Sequence, residues 1–254
     1  MKVWGPEAEP RPTGEPGPRA PRSAESWLDL ILLPLLSIGL VGVLIVGAGQ
    51  MSLPLDEAVV LYGSMIVLYA AVILVTALLL RLRGLRLLQT FLAAGRAWSV
   101  WIAIPLGMVL ALCASGVIEL LPAGIQQELT ERNAAMVPDT LGQAVALFFV
   151  AALLAPLAEE LYFRGHMLRL MSRHMSFGVA AVFSALLFSL VHGHVLSPGF
   201  GGAVLTFIIF LLGIALALIA RWGGSLRAPF ALHAAYNATL TIPGIYLLLS
   251  GAQT

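Results

Sequence analysis

The chain alternates long apolar runs with short polar breaks, and the runs are too long and too uniformly apolar for the amphipathic elements of a water-soluble core. Hydropathy predicts seven spans, at about 27–49, 56–80, 98–121, 141–172, 176–197, 203–220 and 229–250. Most reach the ~20 residues a helix needs to cross the hydrocarbon core of a bilayer, where only helices and closed barrels satisfy the backbone. The predicted fold class is therefore all-α: a polytopic transmembrane helix bundle of about seven to eight helices. Pro243 and Gly244 lie inside the last run and predict a kink or a break there. Trp27, Trp98, Trp101 and Trp222 fall near predicted ends, as interfacial anchors do. The basic and apolar stretch 84–97 is expected to lie along the interface.

Composition sharpens this picture. Hydrophobic residues make up 59% of the 254 positions and charged residues 11%, less than half the ~25% charge of soluble domains. The net charge of +1, with its basic residues dispersed, gives no nucleic-acid partner. A lone Cys113 excludes a disulfide framework or a CxxC metal site. Residues 1–25 are rich in Pro, Gly and charge and predict a disordered cytoplasmic tail, leaving 26–254 as one transmembrane domain. The run beginning at Trp27 reads as a retained first helix, not a cleaved signal. With the N-terminus inside, every one of the 14 Lys and Arg residues except Arg132 falls in a cytoplasmic segment, so that orientation is predicted.

Against this background, polar groups in the late spans stand out, because ionisable residues at membrane depth are costly and usually functional. They are Glu159, Glu160, Arg164, His192 and His233, with the amide Asn237. Glu160 and Arg164 are four apart on one helix face and can pair. Glu159 is turned about 100° away and has no partner on its own helix. His233 and Asn237 share the same spacing, as do Phe188 and His192, which sets an aromatic ring one turn below an imidazole. A hairpin turning near Met175 and Ser176 would bring Glu159 level with His192. His166, His174 and His194 read as interfacial.

Three motifs, EExxxR in "EELYFR", FxxxH in "FSLVH" and HxxxN in "HAAYN", follow one another on successive late spans. In this order they resemble the CPBP family, the CAAX prenyl proteases and bacteriocin-processing (Abi) proteins, which are intramembrane glutamate endopeptidases. The lead-in "GGSLRAPFALHAAYN" is similar as well. The resemblance covers about residues 140–240; the earlier spans match in hydropathy only, and the family's usual form has eight helices. It implies Glu159 as the general base that activates water and His192 as its partner. It implies His233 and Asn237 as oxyanion donors, and Glu160, Arg164 and Phe188 as structural support. The implied activity is metal-independent hydrolysis, without cofactor, of a peptide bond in a membrane-associated protein or peptide. The expected location is a bacterial cytoplasmic membrane.

Two other readings use the same residues. Glu159, His192 and His233 could ligate zinc with Glu160 as base, although the chain lacks HExxH. A non-proteolytic immunity or scaffold protein of the same fold would use the cluster structurally. No GxGD or GxSG signature supports another intramembrane protease class, and the lack of a visible repeat argues against a transporter.

Overall fold

A computed structural model describes residues 27–50, 57–82, 95–194 and 199–251, and among these it is helical throughout, with no strand. The helices are α1 (Trp27–Gln50), α2 (Glu57–Leu82), α3 (Ser99–Glu119), α4 (Ala123–Asn133), α5 (Leu141–Met171), α6 (Phe177–Val191), α7 (Phe200–Gly223) and α8 (Arg227–Ser250). By length and composition four stretches can cross a membrane: Val60–Leu82, Ser99–Glu119, Leu141–Met171 and Phe200–Gly223. Long apolar side chains such as Leu74, Trp101, Leu112 and Phe207 point outward. An outward apolar surface around a polar centre inverts the pattern of soluble proteins and suits a lipid solvent. The chain is a multi-pass membrane protein.

Small residues let the helices approach closely, as they do where lipid supplies no hydrophobic drive between them. α3 runs against α8, and a Cβ at Gly107 would run into the carbonyl oxygen of Leu232. α6 runs against α7, where a Cβ at Gly213 would stand 2.9 Å from that of Ala185. The packed centre, with Phe163, Leu168, Phe188, Leu216 and Leu232, draws on α5, α6, α7 and α8. α7 stops at Gly224, which adopts φ 69°, a left-handed conformation that only glycine takes without strain. Arg96 binds this end, donating from its backbone N–H to the Gly223 carbonyl (2.7 Å) and from Nη1 to the Trp222 carbonyl (3.1 Å). Trp98 and Trp222 meet edge to face here, at 4.4 Å between rings.

Several expectations change. α6 spans 15 residues, not the whole of 176–197; at ~1.5 Å per residue it falls short of the ~30 Å hydrocarbon core. A polar helix, α4, follows α3 where no element was expected, because among its polar residues only Ile125 and Leu129 form an apolar pair, too short a stripe to predict a helix. α8 passes Pro243 unbroken, and Pro34 and Pro105 likewise lie within α1 and α3. A helix in lipid has no water to which a freed backbone group can turn, so it persists through a proline that would end it in solution. The tail expected over 1–25 and most of the segment expected over 84–97 lie outside the described residues.

Candidate active site

The site grows out of an irregularity in α5. Val150–Leu154 and Phe163–Leu168 form π-type turns on either side of Ala155–Tyr162, the turn that carries both glutamates. In the first of them the Ala155 N–H donates to the Val150 carbonyl, one residue further back than in an α-helix. The Ala151 carbonyl would then need a donor at position 156, which is proline and has none. Asn237 of α8 supplies it, with Nδ2 2.6 Å from the Ala151 oxygen. A backbone defect in one helix thus fixes the side chain of another, and one N–H of the Asn237 amide is committed to it while the second stays available.

Glu160 and Arg164 form the expected pair, both 0% exposed, with Arg164 Nη1 donating to Glu160 Oε1 at 3.0 Å. Arg164 Nη2 donates to the Gly213 carbonyl of α7 (3.1 Å), and the guanidinium lies 4.4 Å over the Phe188 ring. A buried charge needs such matching, although Glu160 Oε2 and Arg164 Nε are buried without a hydrogen-bond partner among the described residues. Phe188 is fully buried, and its ring touches those of Phe163, His192 and His233.

His233 stands between the two carboxylates. Its Nδ1 is 3.0 Å from Glu160 Oε1 and its Nε2 is 3.7 Å from Glu159 Oε2, with 3% of the imidazole and 15% of the Glu159 side chain exposed. Glu160 also accepts from Arg164, so its oxygen receives the Nδ1 proton, which makes Nε2 the acceptor of the ring's neutral form. Glu159 Oε1 accepts a hydrogen bond from the Tyr69 hydroxyl of α2 at 3.2 Å. Glu159 Oε2, like Glu160 Oε2, is buried and has no hydrogen-bond partner among the described residues.

His192 is placed differently from the expectation that it would meet Glu159. α6 ends at Val191, and His192 is its exposed cap residue. Its Nδ1 donates to the Phe188 carbonyl (2.7 Å), and no hydrogen bond or ion pair joins it to Glu159 among the described residues. The physical reason is the early end of α6: the last-turn carbonyl has no helical donor and captures the ring. His192 and His233 instead share the Phe188 ring, at 4.8 and 5.7 Å between centroids. The zinc set of Glu159, His192 and His233 is therefore not drawn together, and no three His, Cys, Asp or Glu side chains among the described residues are arranged to hold a metal ion. His166 is buried in the second π-type turn, whereas His174 is exposed and its ring meets that of Trp27 at 5.1 Å, tilted by 42°.

Tyr69 was missed by sequence reasoning, which assigned no chemistry to the early spans. A signal was present: Tyr62 and Tyr69 stand seven apart on α2, which puts two hydroxyls on one helix face. Beside the polar cluster lies a cavity of about 690 Å³ between α2, α5 and α8, walled only by apolar side chains such as Ile66, Phe149, Leu154, Leu157 and Phe230. Ile66, Leu157 and Phe230 are each one helical turn from Tyr69, Glu160 and His233 respectively.

Residues 141–239, which hold every one of these groups except Tyr69, match the family model described as Rce1-like, type II CAAX prenyl endopeptidase. No curated protein and no solved structure matches the chain.

Proposed function

Because residues 141–239 carry the match to the CAAX-type intramembrane proteases, we propose that this chain is an intramembrane endopeptidase that cuts a membrane-associated protein or peptide with a water activated by Glu159. The observation that carries the reading is the pair of acceptors, Glu159 Oε2 and His233 Nε2, 3.7 Å apart at a buried position. That spacing is too long for a direct hydrogen bond. One water donating a hydrogen to each acceptor sets them about 4.4 Å apart, so the pair opens by less than about 1 Å to seat it with its oxygen lone pairs toward the substrate.

The chemistry follows. The water oxygen attacks the scissile carbonyl while Glu159 takes its proton, and the carbonyl oxygen becomes an oxyanion. The tetrahedral carbon then expels the amine, which receives the proton from Glu159. His233 holds the water through Nε2, and Glu160 with Arg164 fixes its tautomer through Nδ1. This gives His233 a part in holding water, in place of the oxyanion role that the resemblance implies, because a donor would need a proton at Nε2. Asn237 keeps the oxyanion role through its second amide N–H, pre-oriented by the Ala151 carbonyl. His192, across the Phe188 ring, is positioned to meet substrate through its free Nε2. The adjacent apolar cavity suits a substrate whose flanking portion is apolar.

The test has two arms. Purified protein incubated in chelator with a farnesylated CAAX-type peptide is expected to cleave it, and Glu159→Gln to abolish cleavage while the helical spectrum is kept. Membrane proteomics of cells carrying wild type or Glu159→Gln is expected to show a precursor that accumulates only with the variant. Full cleavage by folded Glu159→Gln, or no accumulating precursor together with no peptide cleavage, overturns the reading.

A further inference from the structure

We infer that Tyr69 is a positioning residue for Glu159, so that the site is completed by a helix outside the 141–239 segment. The inference rests on the endopeptidase reading for its consequence, but the contact itself stands apart from it.

Glu159 and Glu160 are adjacent yet held by different means. Glu160 Oε1 has Arg164 and His233 at 3.0 Å each, and these two contacts hold its carboxylate. Glu159 makes no hydrogen bond to Arg164, which acts on it only through space, and His233 is beyond hydrogen-bond distance at 3.7 Å. The Tyr69 hydroxyl, at 3.2 Å, is its one hydrogen-bond donor among the described residues. A glutamate has three side-chain torsions, and fixing them costs entropy that some contact must offset. With Oε1 held by Tyr69, the carboxylate is left with Oε2 turned to His233, which is the orientation a base needs there.

Tyrosine suits the task because it has only two torsions and a planar ring. α2 is itself fixed where Tyr69 projects: it packs along Ala155–Tyr162, the turn that carries Glu159. One heptad earlier on the same face Tyr62 is buried, and its hydroxyl donates to the Met136 carbonyl at 3.4 Å. Two tyrosine hydroxyls thus join α2 to the chain just before α5 and to the reactive turn within it.

Tyr69→Phe keeps the ring and deletes the hydroxyl. In purified protein in detergent micelles, the infrared band of Glu159 is identified by its loss in Glu159→Gln, and Tyr69→Phe is expected to shift it; an unmoved band overturns the inference. On the farnesylated CAAX-type peptide, Tyr69→Phe is expected to lower kcat on the order of tenfold to a hundredfold, with KM and the thermal midpoint unchanged. In a Glu159→Asp background, whose carboxylate is withdrawn from Tyr69, the same change is expected to cost less than about twofold more. Equal losses in both backgrounds, or wild-type kcat in Tyr69→Phe, overturn the inference. An active Glu159→Gln refutes the endopeptidase chemistry instead. Where wild type leaves the peptide uncut, the infrared arm decides on its own.

Discussion

Replacing Glu160 by leucine tests how the charged turn is held together. The substitution removes the carboxylate that faces Arg164 and His233, each at 3.0 Å, in surroundings with no solvent exposure at Glu160 or Arg164. Arg164 keeps the Gly213 carbonyl and the Phe188 ring, but neither cancels its charge. Breaking a buried ion pair on one side costs about 3–5 kcal/mol, because the other charge is left unmatched. At ~2–4 °C per kcal/mol for a chain of this size, the thermal midpoint is expected to fall by on the order of 10 °C. Adding Arg164→Met removes the stranded charge, and the double variant is expected to recover most of the loss. It stays below wild type by roughly 1–3 kcal/mol, since the His233 Nδ1 proton is still without its acceptor. Circular dichroism melts of the three proteins in one detergent measure both steps. Activity separates from stability here: the double variant is expected to be folded but inactive, because His233 has lost the partner that sets its tautomer. A Glu160→Leu midpoint equal to wild type, or a double variant no more stable than the single, would refute the reasoning.

Two further outcomes follow from helix contacts. Gly107→Leu drives a side chain into the Leu232 carbonyl and is expected to separate α3 from α8; overpacking of this kind costs about 1–3 kcal/mol, and peptide cleavage should fall with the melting midpoint because His233 adjoins Leu232. Asn237→Leu strands the Ala151 carbonyl at a cost of about 1–3 kcal/mol, and Pro156→Ala, by restoring a backbone N–H, is expected to return part of that stability without returning activity; melts and cleavage assays of the single and double variants check both.

Much of this was legible in the sequence, and for identifiable reasons. The all-α membrane architecture follows from run length, since lipid leaves the backbone no other hydrogen-bond partners. The Glu160–Arg164 pair follows from helical spacing, which is local and survives any tertiary arrangement. The three motifs likewise marked Glu159, His192, His233 and Asn237 as one group, and the tertiary structure gathers Glu159 and His233 directly, with Asn237 on the same helix face as His233.

What only the tertiary structure decided depends on groups far apart in the chain. Hydropathy gave no reason to end α6 at Val191, and that end leaves His192 bonded to the Phe188 carbonyl, with no hydrogen bond to Glu159 among the described residues. Nor does a proline at 156 announce that its missing N–H will be answered by an amide on α8. The clearest case is Tyr69. Its hydroxyl meets Glu159 across 90 residues of sequence, and periodicity within α2 can say only which face it occupies. Spacing along one helix determines which side chains share a face, whereas packing between helices determines what that face meets, and the Glu159 carboxylate lies on the second kind of contact.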